Sequence, residues 1–251
     1  MTPKAETRLF IDTPLFEAAS VSLDQGQAHY LRSVLRLQIG AKLILFNGQD
    51  GEWIAEITDL GKKNGSAQVI DKLREQEFSP DVWLLFAPLK KTATDLVFQK
   101  ATELGVSAIK PVITKHSNTE RMKLERAQAI VIEAAEQCER LDVPEVQNPS
   151  KLEAILAEWP EDRHLFVCAE AGPANAAEKV FVAHQGEKAA ILIGPEGGFA
   201  VSELEFLSNQ PFISMVGLGP RVLRAETAVL SALSCWQAFC GDWQSRPPHR
   251  E

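Results

Sequence analysis

Four short runs in this chain are apolar at nearly every position: VWLLFAP (82–88), HLFVCA (164–169), AAILIG (189–194) and FISMVG (212–217). A strand with one wet face would alternate polar and apolar residues. These do not alternate, so both of their faces must be covered. A further strand pattern lies at Ala108–Ile113. Helical spacing fills the intervals over Thr94–Leu104, Glu120–Cys138 and Ala225–Cys240. The second of these places Leu124, Ala127, Ile130, Val131 and Ala134 on one face. The third does so with Ala225, Ala228, Val229, Ala232, Leu233, Trp236 and Phe239. Ser202 followed by Glu205 reads as a capping box for a short helix. Buried strands alternating with helices predict an α/β domain with a parallel sheet covered on both sides.

The first 73 residues have another rhythm. A strand is expected near Leu9–Ile11, a helix over Gln25–Leu37, and short strands at KLILF (42–46), WIAEI (53–57) and SAQVI (66–70). The turn-rich segments NGQDG (47–51) and GKKNG (61–65) separate them. Such spacing predicts a small β-barrel. The division expected is a β-rich domain over 1–73, a linker over 74–80 and the α/β domain over 81–245.

In an open parallel sheet, ligands gather at the carboxyl ends of the strands. Two such ends are unusual. ILIGPEGGF (191–199) has three glycines in five residues, more than a plain tight turn requires. VGLGPRVLRAETA (216–228) leaves a strand through glycines and enters the last helix with Arg221, Arg224, Glu226 and Thr227 at its start. Glu226 suits a helix N-terminus. Two arginines do not, and they point to an anionic ligand group. The phosphate loop G-x-x-x-x-G-K-[ST] and the G-x-S-x-G elbow are both absent, and GLGPRV has Val222 where the dinucleotide fingerprint needs its third glycine. The residues themselves lead to an α/β domain with a two-loop small-molecule site and a β-rich accessory domain.

The formal net charge of −8 argues against a nucleic-acid partner only until it is divided along the chain. Residues 128–210 hold 15 acidic and 5 basic residues; residues 86–127 hold 8 basic and 4 acidic. The basic stretch contains Lys90, Lys91, Lys100, Lys110, Lys115, Arg121, Lys123 and Arg126. Arg8, Arg32 and Arg36 in the small domain extend it, the last two at i, i+4 on the first helix. The four cysteines form no C-x-x-C pair, and no two of the five histidines stand at i, i+4, so no metal site is expected. No apolar run reaches the ~18 residues of a membrane span, and MTPKAETRLFID lacks the apolar core of a signal peptide. A reducing, cytoplasmic setting is the expectation.

GPEGGF together with LGPRVLRAETA resembles the signature of the RsmE family, the 16S ribosomal RNA (uracil-N3)-methyltransferases of the SPOUT superfamily. The stretches 29–57, QKATELGV (99–106) and EAAEQCERLDVPEV (133–146) agree with the same family, in order along essentially the whole chain. The resemblance implies a PUA-like RNA-binding barrel, a SPOUT domain with a deep trefoil knot, a homodimer, and S-adenosylmethionine (SAM) held in the knot. It places the cofactor at Leu192, Gly194, Glu196, Gly197 and Gly198, and at Leu218, Gly219, Pro220, Val222, Leu223 and Thr227. Arg224 would stabilise charge developing on the uracil oxygen. Glu226 would orient Arg224 or accept the N3 proton; a water or the substrate is an alternative base, and a purely structural Arg224–Glu226 pair is an alternative role. Where many relatives carry Glu-Arg-Ser after the second strand of this domain, the chain has Lys115-His116-Ser117. RNA contacts are expected from Arg8, Arg32, Arg36, Lys90, Lys91, Lys115 and His116, with 16S RNA in the 30S subunit as partner. A ribose 2′-O enzyme of the same superfamily and a non-enzymatic PUA-like RNA-binding protein are the alternative functions.

Overall fold

The computed structural model describes residues 5–117, 122–170 and 174–246. The chain forms two compact units. One contains the chain up to Phe78 together with Ala135–Val143; the other begins at Ser79 and contains the rest of the domain.

The small unit has five strands: β1 (Arg8–Phe10), β2 (Ser20–Leu23), β3 (Lys42–Phe46), β4 (Glu52–Leu60) and β5 (Gly65–Arg74). Their order is β1-β3-β4-β5-β2, with β1–β3 parallel and the other pairs antiparallel. Three register shifts between β4 and β5 curl the sheet. It closes around one core that includes Leu9, Val21, Leu31, Leu43, Leu45, Ile57 and Val69. Among the described residues, edge strands β1 and β2 are not paired to each other, so the expected barrel is open along that seam.

Helix α1 (Gln25–His29) starts on a complete capping box between Asp24 and Gln27. It then loosens into a π-helical stretch, Tyr30–Val34. Leu37 N–H bonds back to Leu31 O, and Arg36 takes φ 58°, the left-handed conformation that ends helices. Arg36 therefore stands outside the helix, and the expected i, i+4 face with Arg32 does not exist.

Arg8 also departs from expectation. It is buried, with Nε donating to Glu52 Oε1 (2.7 Å), Nη1 to Ala135 O (2.8 Å) and Nη2 to Arg140 O (2.7 Å). Its guanidinium lies 3.7 Å from the Phe46 ring centroid. Arg74 binds the other oxygen of Glu52 (2.8 Å) and donates to Glu139 O (2.8 Å). The two cations thus satisfy one buried carboxylate and main-chain carbonyls at the end of α3 (Leu124–Cys138). Buried in this way, Arg8 is turned into the fold and does not present its guanidinium to RNA. Arg74, expected in the linker, is the last residue of β5, in register with Glu52 of β4.

The large unit has strands β6 (Val82–Phe86), β7 (Ala108–Ile113), β8 (Glu145–Val146), β9 (Ser150–Lys151), β10 (Arg163–Cys168), β11 (Asn175–Ala176), β12 (Lys188–Ile193) and β13 (Ile213–Gly217). All pairings are parallel, in the order β11-β13-β10-β12-β6-β7-β8, with β9 beside β7. Its other helices are α2 (Lys91–Glu103), α4 (Leu152–Ala157), α5 (Ala177–Ala183), α6 (Val201–Ser208) and α7 (Ala225–Phe239).

The apolar runs bury both faces, as expected. On one, Leu85, Leu165, Val167, Ala190 and Leu192 pack with Leu152 and Leu156 of α4 and Leu207 of α6. On the other, Phe86 meets Phe98 of α2 edge-on at 5.5 Å, and Phe166 meets Phe181 of α5 at 5.0 Å. The apolar stripe of α7 is buried within the chain: Ala225, Val229, Ala232, Leu233 and Trp236 face the core. No described helix is long and apolar enough to cross a membrane.

Replacing Arg8 by Ala should lower the unfolding free energy by about 3–5 kcal/mol, because Glu52 loses half of a buried charge pairing. Urea denaturation checks this; a loss under about 1 kcal/mol would contradict the clamp.

Candidate functional site at the carboxyl edge of the sheet

Register brings three strand ends into one row. Cys168 of β10 pairs with Val216 of β13 on one side and with Ile193 of β12 on the other; Ile193 pairs with Phe86 of β6. After β10 the chain continues to β11, beyond β13, before returning to β12, and after β12 it crosses past β10 to β13. The carboxyl ends of such parallel strands are where ligands gather. A cavity of about 660 Å³ lies there, floored by Cys168, Ile193 and Val216. Its volume falls within the range of small-molecule pockets.

Two loops form most of the wall. Pro195–Gly198 is a tight turn closed by Gly198 N–H to Pro195 O (2.9 Å), with Gly198 at φ 68°. Gly217–Arg224 leads into α7, with Gly219 at φ 98°. L side chains rarely adopt either backbone conformation, so glycine is favoured at both. A third loop, Cys168–Glu170, completes the wall with Ala174.

Most of the residues singled out from the sequence are here. Gly194, Glu196, Gly197, Gly198, Leu218, Gly219, Pro220, Val222, Leu223 and Arg224 line the cavity. Leu192 does not: strand alternation turns its side chain into the opposite core face. Thr227 is exposed on α7 and is not in the lining, and neither is Glu226. Arg221, read from the sequence with Arg224 as meeting an anionic group, lines the cavity too, and sequence reasoning missed the β10 end. The β10 end carried the same signal as the other two, a buried run reaching its carboxyl end.

Arg224 is the N-cap of α7 and makes no side-chain capping bond. Among the described residues, neither Arg221 nor Arg224 has an ion-pair partner. Arg224 and Glu226 are two positions apart at the helix start, a spacing that does not bring side chains together. They form no ion pair, so the purely structural pairing is not what the chain adopts. The Cys168 thiol is pushed up to about 12 by burial and by Cys235, so the floor presents a neutral S–H rather than a nucleophile.

The turn after β7 is docked onto the glycine loop. Glu203, 5% exposed, accepts from Lys115 N–H (2.9 Å) through one oxygen and from Ala200 N–H (2.8 Å) through the other. Lys115 Nζ donates to Ser202 Oγ (2.7 Å), and His116 Nδ1 lies 3.1 Å from Gly197 O. Lys115 and His116, expected to reach RNA, thus brace the glycine loop in this structure. Glu203 also replaces the expected Ser202–Glu205 capping box: α6 begins at Val201, and the carboxylate three positions after the N-cap closes its first turn.

The basic stretch is partly neutralised internally. Lys100 pairs with Glu103, Arg126 with Asp95, and Lys110 lies 3.4 Å over the Trp83 ring. Lys90 and Lys91 stay exposed at the start of α2, where no side chain caps the helix. Arg121 lies outside the described residues. In the small unit, His29, Arg32, Ser33, Gly61 and Lys62 line an open groove of about 500 Å³.

At the amino edge of the sheet, donor atoms of His164, His184 and Glu187 lie within 4.8 Å of one another. The two imidazoles stack at 3.7 Å and 23°. Lone pairs in near-parallel ring planes do not converge on one ion. Burial and the neighbouring His184 lower His164 to about 4, which keeps the His164 ring neutral at pH 7.

Two family models match the chain: "RNA methyltransferase PUA domain" over residues 23–70 and "RNA methyltransferase domain" over 76–237. The ribosomal RNA small subunit methyltransferase E of Rickettsia conorii is 32% identical over 90% of this chain and 93% of its own length. That of Bacillus subtilis is 30% identical over 87% and 90%. Among solved structures, ribosomal RNA small subunit methyltransferase E from Neisseria gonorrhoeae, bound to SAM, superposes with TM-score 0.83 at 28% identity. It covers 94% of this chain and 99% of that one. A Legionella pneumophila protein with SAM bound gives TM-score 0.85 at 32% identity, covering 95% and 99%.

Glu203→Ala should lower the unfolding free energy by about 2–3 kcal/mol, since two main-chain N–H groups lose a charged acceptor in a buried setting. Urea denaturation reads this. A change below about 0.5 kcal/mol would show that Glu203 does not hold the two loops together.

Proposed function

The chain belongs to the RsmE family of RNA methyltransferases, and we propose that it transfers the methyl group of SAM to N3 of a uridine in 16S ribosomal RNA. In this reading it acts in the cytoplasm, on the 30S subunit, as a homodimer with a knotted large domain. The observation that carries the reading is the cavity at the carboxyl ends of β10, β12 and β13, whose lining contains both signature loops and two arginines with no ion-pair partner among the described residues.

The cavity suits the cofactor in size and in chemistry. SAM is a zwitterion with an added positive sulfur, and the lining offers both carboxylates, Glu170 and Glu196, and guanidiniums, Arg221 and Arg224. The glycine loops bring main-chain polar groups close to whatever lies between them, which suits recognition of adenine edges. When bound, SAM supplies an electrophilic methyl group.

The chain's own residues position the base and manage charge. Uracil N3 carries a proton at neutral pH, and as it leaves, negative charge spreads to the two carbonyl oxygens beside it. Arg224, exposed at the cavity wall without a carboxylate partner, is the group assigned to meet that charge. The place of Glu226 outside the lining gives no support to its taking the proton; at the first turn of α7 it favours the helix dipole. RNA phosphates would be met by Lys90 and Lys91 in the large unit and by Arg32 and Arg36 in the small one. Within the small unit, the groove beside Arg32 adds His29 and Lys62. Lys115 and His116 act in this reading by holding the glycine loop.

Nucleoside mass spectrometry of small-subunit RNA and of 30S particles, incubated with protein and SAM, should show 3-methyluridine. A 2′-O-methyl nucleoside would favour the ribose enzyme, and no methylation would favour a binding protein. In the same assay Arg224→Ala should lose about 10²–10³-fold in turnover while SAM affinity stays within a few-fold. Near-normal turnover would remove Arg224 from the mechanism.

A further inference from the structure

Glu170 is a residue of the cavity that neither signature loop contains. It stands two positions past the end of β10, the middle of the three strands that form the floor. Its side chain is exposed, and among the described residues it makes no ion pair or side-chain hydrogen bond. Yet the carboxylate stays against the cavity wall: Oε1 lies 3.3 Å from where a Cβ on Gly198 would stand. An unpaired carboxylate at the edge of a small-molecule cavity, held over the positive-φ glycine of the facing turn, is placed to accept hydrogen bonds from a ligand.

We infer that Glu170 accepts hydrogen bonds from the ribose hydroxyls of the cofactor, an inference that rests on the methyl-donor reading of the cavity. Two oxygens on one carboxylate can take both hydroxyls of a cis-diol, and charge assistance makes such bonds about twice as strong as neutral ones. A carboxylate in this role at the carboxyl end of a parallel strand is a known solution in doubly wound sheets. The competing donor in SAM is the ammonium of its methionyl part. That group shares a carbon with a carboxylate, and Arg221 in the Gly217–Arg224 loop is the suitable partner for that carboxylate. The ammonium is thereby drawn to the entry of α7, leaving the diol for Glu170.

The test is calorimetric titration of S-adenosylhomocysteine, its 2′-deoxy and 3′-deoxy analogues and its deaminated analogue into wild type, Glu170→Gln and Glu170→Ala. Glu170→Ala should weaken binding of S-adenosylhomocysteine about 10-fold or more, with an unchanged melting temperature because the side chain is exposed. Glu170→Gln should fall between it and wild type. The losses from Glu170→Ala and from a missing hydroxyl should not add, so the variant binds the deoxy analogues about as well as the parent compound. Additive losses, unchanged binding in Glu170→Ala, or coupling to the deaminated analogue instead would overturn the inference. Wild type that binds neither SAM nor S-adenosylhomocysteine would contradict the methyl-donor reading itself, which is a separate failure.

Discussion

The register of β12 between β10 and β6 is the constraint from which the site follows. It sets Val216, Cys168, Ile193 and Phe86 side by side, so three loops start from one level. A slip of one residue would turn Ile193 from the cavity floor into the core and bring Leu192 out. Burial on both faces makes such a slip costly: Leu192 alone is fully buried, and truncating a leucine of that kind costs about 2–5 kcal/mol. Packing energy spent inside the sheet is thus what fixes loop positions at its edge. The loops themselves contain little regular hydrogen bonding and depend on that edge, on the Pro195–Gly198 turn and on the Glu203 bridge.

Arginines in this chain divide by what surrounds them. Arg8 and Arg74 are enclosed, each satisfied by Glu52 and by carbonyls near the end of α3. Among the described residues, Arg221 and Arg224 have no acidic partner, and they stand at the positive end of a helix, where the backbone repels them. That arrangement is unfavourable in the isolated chain and becomes favourable when an anionic group enters. The same contrast refines the charge argument. A net charge of −8 says nothing of RNA affinity once Lys100, Arg126 and Lys110 are seen to be engaged within the chain, and Lys90, Lys91, Arg32 and Arg36 to be exposed.

Much of the fold was legible because buried parallel strands have a strong signature. Each of the four apolar runs became a strand within a residue or two. The short helices α4 and α5 were not legible, since six or seven residues give too little periodicity. Neither was the π-helical ending of α1, where a helical pattern over Gln25–Leu37 hid the left-handed Arg36. The site was read from glycine-rich strand ends, which report backbone geometry directly. Leu192 failed because a motif match carries no information about which face of a strand a side chain takes. Arg8 failed because its partners, 44 to 132 residues away, leave no local trace. Glu203 went unnoticed for the same reason: its bridge to Lys115 spans 88 residues.

The central claim is that three strand-end loops together hold the methyl donor. Amide hydrogen exchange with and without SAM tests it most directly. Saturating SAM should slow exchange at Ala169–Glu170, Gly194–Phe199 and Gly217–Arg224 together, and leave the small unit and the amino edge of the sheet unchanged. Protection confined to one loop, protection elsewhere, or none at all would contradict the account.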